Sequence, residues 1–380
     1  MKKWLFGWLT LLLAFTFGFA GGPEPIKIGA LVSATGPASF LGDPELKTLK
    51  HYAEKINHEG GIDGRRIELV AYDTGANPKK AVTFAKRLIF KDKVDAIIGP
   101  STTGETMAII PLVEKNKVPL LSMAGGVAII EPVKPWVFKI VATDRMACEK
   151  IMEDMKKKNI SKIAMISGSG GFGKSMRKQC KMVADKMGIS ILADETYGKK
   201  DTDMTAQLLK IKNTPGVQAV LNPGFGQGPA IVAKNYKQLQ MEQPLYESHG
   251  VASKKFIEIA GPAAEGVRLV SPPVVVAEKL PDSNPVKKVC MEYKKEYEST
   301  FKTPVSSFGG HAYDALFAVV DAVKRGATDR QSIRDNLESM KGFVGIDGVV
   351  NMSPTDHLGL DTKSGMVNLA IKNGDWELAE

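Results

Sequence analysis

Cysteine is scarce in this chain: its 380 residues hold three, Cys148, Cys180 and Cys290, with no C-x-x-C pair among them. That argues against a disulfide-built scaffold and a cysteine zinc site, and it leaves open whether any two of the three pair. The histidines, His51, His58, His249, His311 and His357, show neither H-x-x-x-H spacing nor an H-E-x-x-H context, so they point to no metal site. His51 and His58, on or beside the first expected helix, read as surface residues. G-x-S-x-G is absent as well, and no Ser–His–Asp or Cys–His arrangement can be argued from residue order, so no catalytic residue is expected. There is no block of like charge: 51 Lys and Arg against 42 Asp and Glu leave +9, scattered over expected helix faces, which does not form a nucleic-acid stripe. After residue 20 no apolar run approaches the roughly 20 residues a bilayer core requires. What remains, 43% hydrophobic and 24% charged, is an ordinary globular composition in a chain too long for one compact core and suited to two domains.

The first twenty residues differ from the rest. Lys2 and Lys3 precede an almost unbroken apolar run over 4–19, and Gly18-Phe19-Ala20 places small residues where a signal peptidase cuts. The segment therefore reads as a secretory signal cleaved after about Ala20, with a mature charge of 9 − 2 = +7 and a periplasmic destination. No cysteine lies near the cut, which argues against a lipid anchor. Export weakens every reading that needs a cytoplasmic nucleotide.

Along the mature chain, short apolar strand patterns alternate with amphipathic helix patterns. Strands are expected over 26–32, 67–72, 96–98, 119–121 and 137–141, with helices carrying Leu46, Leu49, Ala53 and Ile56, opened by Pro78, and starting near Gly104. A second series follows: strands over 163–166, 189–193, 218–221 and 245–246, and helices over 174–187, 204–211, 231–239 and 254–259. Helical patterns over 286–300, 313–324 and 332–340 and β-like segments at 349–350 and 366–371 close the chain. Strict alternation with short connections implies an α/β fold with parallel sheets and helices on both faces, enough for two sheets.

Three loops carry candidate chemistry. Residues 168–175, Gly-Ser-Gly-Gly-Phe-Gly-Lys-Ser, fit both the phosphate-loop and the dinucleotide patterns, and Asp194 lies where a ribose-binding acid would be sought. The competing reading is that these glycines only let the chain turn sharply out of a strand and approach a ligand. Residues 99–104, Gly-Pro-Ser-Thr-Thr-Gly, set the hydroxyls of Ser101, Thr102 and Thr103 at a helix start, where unpaired N–H groups favour a carboxylate, though Ser and Thr also serve there as plain caps. Residues 122–126, Ser-Met-Ala-Gly-Gly, follow the next strand, and paired loops at carboxyl ends of strands are where open α/β sheets bind ligands.

An ordered set of landmarks runs through the mature chain: Ile26-Lys27-Ile28-Gly29 with Thr35-Gly36-Pro37, Gly60-Gly61-Ile62-Asp63-Gly64-Arg65, Asp73 with Asn77-Pro78, Ile98-Gly99-Pro100, Gly173, His249-Gly250-Val251-Ala252, Ala264-Glu265-Gly266 and Tyr313-Asp314-Ala315. In this set the sequence resembles the solute-binding proteins of branched-chain amino-acid ABC importers, the leucine/isoleucine/valine-binding family. The resemblance implies two doubly wound parallel-sheet lobes of the type I periplasmic-binding fold, joined by three crossings. Lobe one is expected over 25–138 and 273–348, and lobe two over 139–272 and 349–380. It implies a ligand-binding cleft closed by hinge motion, a membrane permease as partner, a monomer, no cofactor and no enzymatic activity.

By the same resemblance, Thr102 or Thr103, next to Ser101, and Gly125 hold a ligand carboxylate. Phe172 and Phe225 cover the ligand from lobe two, and Phe40-Leu41 form the lid of lobe one. Two positions depart from the family: Gly126 stands where a threonine is usual, and His249 where an acid pairs with the α-ammonium. An ammonium buried without an anion costs several kcal/mol. The departures therefore favour a carboxylate lacking an α-ammonium, an aromatic or keto acid, over the branched-chain amino acids of the family default. Alternatives are an exported ligand-sensing receptor module and a nucleotide-dependent enzyme using the 168–175 loop.

Overall fold

The computed structural model describes residues 23–379, and the expected signal segment over 1–20 lies outside the described residues. The first strand, β1 (Ile26–Val32), is buried at all but one position, as a strand covered on both faces must be. It leads into α1 (Ser39–His58), β2 (Ile67–Asp73), α2 (Pro78–Arg87), β3 (Ala96–Ile98), α3 (Thr103–Asn116), β4 (Leu120–Ser122) and β5 (Val137–Lys139). These strands form one parallel sheet in the order β2-β1-β3-β4-β5.

The chain then enters a second unit through α4 (Asp144–Lys157), β6 (Lys162–Gly168), α5 (Gly171–Met187), β7 (Ser190–Tyr197), α6 (Thr205–Lys212), β8 (Ala219–Asn222), α7 (Gln227–Gln238), β9 (Leu245–Glu247), α8 (Lys254–Ala260) and β10 (Arg268–Ser271). It returns to the first unit as α9 (Lys287–Phe301), α10 (Ser307–Lys324) and α11 (Arg330–Glu338), where Tyr293 of α9 hydrogen-bonds Thr48 of α1 at 2.8 Å. A small antiparallel pair, β11 (Phe343–Val344) and β12 (Val349–Val350), precedes a third passage into β13 (Val367–Lys372) and β14 (Asp375–Leu378). The second sheet runs β14-β13-β10-β9-β8-β6-β7. The chain thus passes between its two α/β units three times.

Several elements differ from the sequence reading. The second sheet is parallel only from β6 to β10; β13 pairs antiparallel with β10 and with β14, so one edge is a hairpin. Its turn is Asn373-Gly374, with φ of 52° and 71°, the left-handed pair that a two-residue hairpin demands. Strands β10 and β14 and helix α4 were not expected. Helices α1, α5, α7 and α10 begin earlier than the periodicity indicates, because their first turns are rich in Gly, Ser and Pro rather than in spaced apolar residues. The strand expected over 137–141 stops at Lys139, where the chain leaves the sheet to cross over. Two cysteines do pair: Cys148 on α4 joins Cys180 on α5, a single staple between neighbouring helices, while Cys290 is free and buried.

Candidate functional site

Strand β3 ends in Gly99, whose φ is +98° and where an added Cβ would lie 2.1 Å from the Leu31 carbonyl oxygen. Only glycine fits that turn, which delivers Ser101, Thr102 and Thr103 to the start of α3. Thr102 is the N-cap; its hydroxyl accepts from Glu105 N at 3.4 Å and donates to Glu105 Oε2 at 2.6 Å. Ser101 donates to Glu45 and accepts from Ser33 N at 2.9 Å. Glu45 and Glu105 are both fully buried behind these hydroxyls. Burial pushes the Glu45 carboxyl up to about 8, against the Ser101 hydrogen bond and with some help from Glu105. Thr103 differs from its neighbours, since its Oγ1 only accepts, from Gly126 N at 3.2 Å, and its own hydrogen is unassigned among the described residues. Thr103 N and Gly104 N are the first two amides of α3, without an intrahelical carbonyl to serve.

The neighbouring loop after β4 is held by its own bonds. Ala124 N donates to Ser122 Oγ at 3.2 Å, and Gly125 O accepts from Asp144 N at 2.7 Å. A Cβ on Gly125 would lie 2.7 Å from Phe172 Cε2 and 2.9 Å from His249 Nε2, so lobe two presses directly on this glycine. Phe172 comes from the first turn of α5, Phe225 from the loop after β8, and His249 from the short turn after β9 that Ser248 caps. Their rings meet: Phe172 lies 5.9 Å from Phe225 and 5.3 Å from His249, while Phe40 of the first unit lies 6.4 Å from Phe225 and 5.5 Å from Phe308.

Together these groups line a narrow, partly open cavity of about 40 Å³ between the two units. Of the residues expected from sequence, Leu41, Ser101, Thr102, Thr103, Gly125, Phe172, Phe225 and His249 line it. Phe40 stands behind, against Phe225 and Phe308, and Gly126 packs under Thr103, so these two do not face the cavity. The sequence reading missed Met123, Val141, Gly250, Phe308 and His311, which also line it. Met123 and Gly250 are immediate neighbours of chosen residues, whereas Phe308 and His311 arrive on α10, whose approach only the tertiary structure reveals.

The electrostatics at His249 are decisive. The residue is 8% exposed, its Nδ1 has no partner, and burial, reinforced by Lys139 and His311, pushes its pKa down to about 3. The ring is therefore neutral at physiological pH. With Nδ1 buried and alone, the tautomer that strands a lone pair there rather than an N–H puts the hydrogen on Nε2, beside Gly125. No Asp or Glu is among the residues lining the cavity. Asp43 is taken by Lys47 at 2.7 Å, outside the cavity. Glu247 is fully buried, bonded by Asn222 Nδ2 at 3.1 Å, and burial raises its pKa well above the carboxylate range.

In the 168–175 loop, Gly168 N and Ser169 N donate to the carbonyls of Pro223 and Tyr197 at 3.0 and 2.8 Å, Lys174 is exposed, and Asp194 is bound by Arg177 at 2.7 Å and by Lys181. Gly173 is required for a different reason: a Cβ there would meet Gly168 O at 2.0 Å.

Known proteins share this architecture. A family model described as periplasmic binding protein matches residues 25–370. The leucine-, isoleucine-, valine-, threonine- and alanine-binding protein of Pseudomonas aeruginosa is 24% identical over 368 residues, covering 94% of this chain and 92% of its own. Among solved structures, an extracellular ligand-binding receptor from Rhodopseudomonas palustris HaA2 superposes with a TM-score of 0.87 at 30% identity, covering 94% of this chain and 100% of the other. The branched-chain amino-acid transporter substrate-binding protein LivJ of Streptococcus pneumoniae, solved with isoleucine, gives 0.83 at 25% identity, covering 94% and 99%.

Proposed function

Because the chain belongs to the periplasmic binding protein family, we propose that it is the solute-binding component of an ABC importer, taking a small carboxylate without an α-ammonium group. It captures the ligand between its lobes and presents it to a membrane permease. The observation that carries the ligand class is His249: a buried, neutral imidazole in a cavity whose lining holds no Asp or Glu.

The ligand carboxylate meets the Thr103 hydroxyl and the first amides of α3, neutral donors at the positive end of a helix dipole. Beyond the carboxylate, the Nε2–H of His249 meets an oxygen. A keto acid supplies one there, whereas an amino acid supplies an ammonium that finds no anion. Phe172, Phe225 and Phe308 give flat apolar walls for a ring or a branched chain. The two lobes divide at the three passages, with β5 and the β11–β12 pair belonging to lobe one, and closure turns on the segments between them. Removal of residues 1–20 on export to the periplasm completes the reading, and intact mass of the exported protein tests that part.

Parallel calorimetric titrations of leucine, its keto acid and benzoate test the ligand class. Apolar contacts are shared by leucine and its keto acid, so the unpaired ammonium sets the difference, and about 1.4 kcal/mol already gives tenfold selectivity. The keto acid or benzoate should bind at least tenfold more tightly. Tight leucine binding with no response to the other two defeats the proposal.

A further inference from the structure

His311 is unused by the argument so far. It sits in the first turns of α10, 5% exposed, and lines the cavity beside Phe308, whose ring centroid is 5.8 Å away. Its Nδ1 lies 2.6 Å from Oδ2 of Asp347, which is itself fully buried. The segment carrying Asp347 is fixed in turn, since Ile346 N and Asp347 N donate to the Asp314 carboxyl at 2.6 and 2.8 Å. The other ring nitrogen, Nε2, has no hydrogen-bond partner among the described residues. The cavity it lines holds apolar side chains, among them Leu41, Met123, Val141 and Phe308, together with the hydroxyls of Ser101, Thr102 and Thr103 and the His249 ring.

A buried acid and imidazole held in one orientation cost desolvation that apolar side chains of the same volume would not. Here the pair leaves His311 Nε2 open to the cavity and Asp347 Oδ1 buried behind it without a partner among the described residues. We infer that the ligand carries a hydroxyl group in addition to its carboxylate, and that this hydroxyl hydrogen-bonds His311 Nε2. Asp347 takes Nδ1, which leaves Nε2 for one hydrogen bond, and a hydroxyl, able both to donate and to accept, makes that bond whether or not the ring is protonated. A second carboxylate fits less well, since it brings about four lone-pair sites and His311 has one ring nitrogen left to meet it. The inference rests on the carboxylate reading above and refines it to hydroxylated aromatic or aliphatic acids.

Calorimetry on the mature protein tests it with benzoate, 3- and 4-hydroxybenzoate, 4-methoxybenzoate, phenylpyruvate, 4-hydroxyphenylpyruvate, terephthalate and leucine. At least one hydroxylated acid should bind about tenfold or more tightly than its parent. Read as the ratio of hydroxylated to parent acid affinity within each protein, that advantage should vanish in His311→Phe, and His311→Gln, whose amide can donate and accept, should restore part of it. The wild-type comparison stands alone if His311→Phe does not fold. Equal binding of every hydroxylated acid and its parent overturns the inference and leaves the carboxylate reading in place. So does a methoxy compound matching the hydroxyl compound, or terephthalate binding most tightly. Tight leucine binding with no acid bound removes the carboxylate reading itself.

Discussion

Gly125→Ala isolates lobe closure. The added Cβ would lie 2.7 Å from Phe172 Cε2, 3.2 Å from Phe172 Cδ2 and 2.9 Å from His249 Nε2, all across the cleft. Backbone strain is not involved, since Gly125 is not among the residues with positive φ. Nor can the loop retreat easily, because Gly125 O is held by Asp144 N and Gly126 N by Thr103 Oγ1. Phe172 has little room either, wedged between Phe225 and His249. Overpacking of this kind costs about 1–3 kcal/mol, and because the clash joins opposite lobes it falls on the closed state. The ligand's Kd should rise about 5- to 150-fold, with the ligand-free melting temperature nearly unchanged and the ligand-induced stabilisation reduced. Gly126→Ala is the contrast: its Cβ meets Thr103 Cγ2 at 2.5 Å within one lobe, so it should lower the ligand-free melting temperature too. Calorimetric affinity of Gly125→Ala within twofold of the wild type would refute closure of the cleft to this depth.

Replacing both Cys148 and Cys180 by Ser opens a loop of 32 residues, worth about 3–4 kcal/mol by chain entropy, so the urea midpoint should drop and reductant should erase the difference from the wild type. Equal midpoints under oxidising conditions would show that the staple contributes nothing. Glu45 ionises near 4.5 when unfolded and near 8 in the fold, so between those values the folded state holds a proton the unfolded state has lost, and the site's stabilising contribution, full below 4.5, falls as pH rises toward 8. Glu45→Gln should therefore gain stability relative to the wild type from pH 5 to 8, and parallel urea midpoints across that range would contradict it. His249→Glu puts an anion where the cleft has none, and it should shift the leucine to keto acid affinity ratio about tenfold or more toward leucine; an unchanged ratio in paired titrations counts against the role given to His249.

The sheets were legible because a strand covered on both faces must be largely apolar, as 96–98 and 163–166 are throughout and 26–32 is but for Lys27. Helix starts were not, since Ser39-Phe40-Leu41-Gly42 and Gly171-Phe172-Gly173 carry no spaced apolar repeat. Other misses had signals. Thr143 caps α4, its Oγ1 accepting from Met146 N at 3.1 Å, and Ala147, Ile151 and Met155 repeat at intervals of four behind it. Asn373-Gly374 marked the final hairpin, with Trp376 buried just beyond it. At the site, the loops after β3 and β4 could be chosen because strand ends gather at one edge of a parallel sheet. His311 could not be chosen that way, since α10 reaches the cavity only after the chain has crossed between the units twice.

The same geometry bears on where an ammonium would go if one entered. At the Thr103 end the carboxyls of Glu45 and Glu105 lie one hydroxyl behind the surface, through Ser101 and Thr102. A cation there would lean on hydroxyl lone pairs, with Glu45 still largely protonated at neutral pH, and it would face the positive end of α3. At the His249 end it would meet a ring whose open nitrogen carries the hydrogen, and beyond lies Lys139, whose Nζ is spent on the carbonyls of Val141 and Ala142 at 2.6 and 3.0 Å. At His311 it would find a single ring nitrogen, Nε2, with the Asp347 carboxyl on the far side of the ring. A hydroxyl needs one acceptor and no counter-ion, whereas an ammonium needs about three acceptors and a negative charge to offset desolvation. On the proposed ligand class, polar atoms divided singly among these places serve an anion held by neutral donors and separate oxygen atoms, whereas a zwitterion would need them gathered around its ammonium.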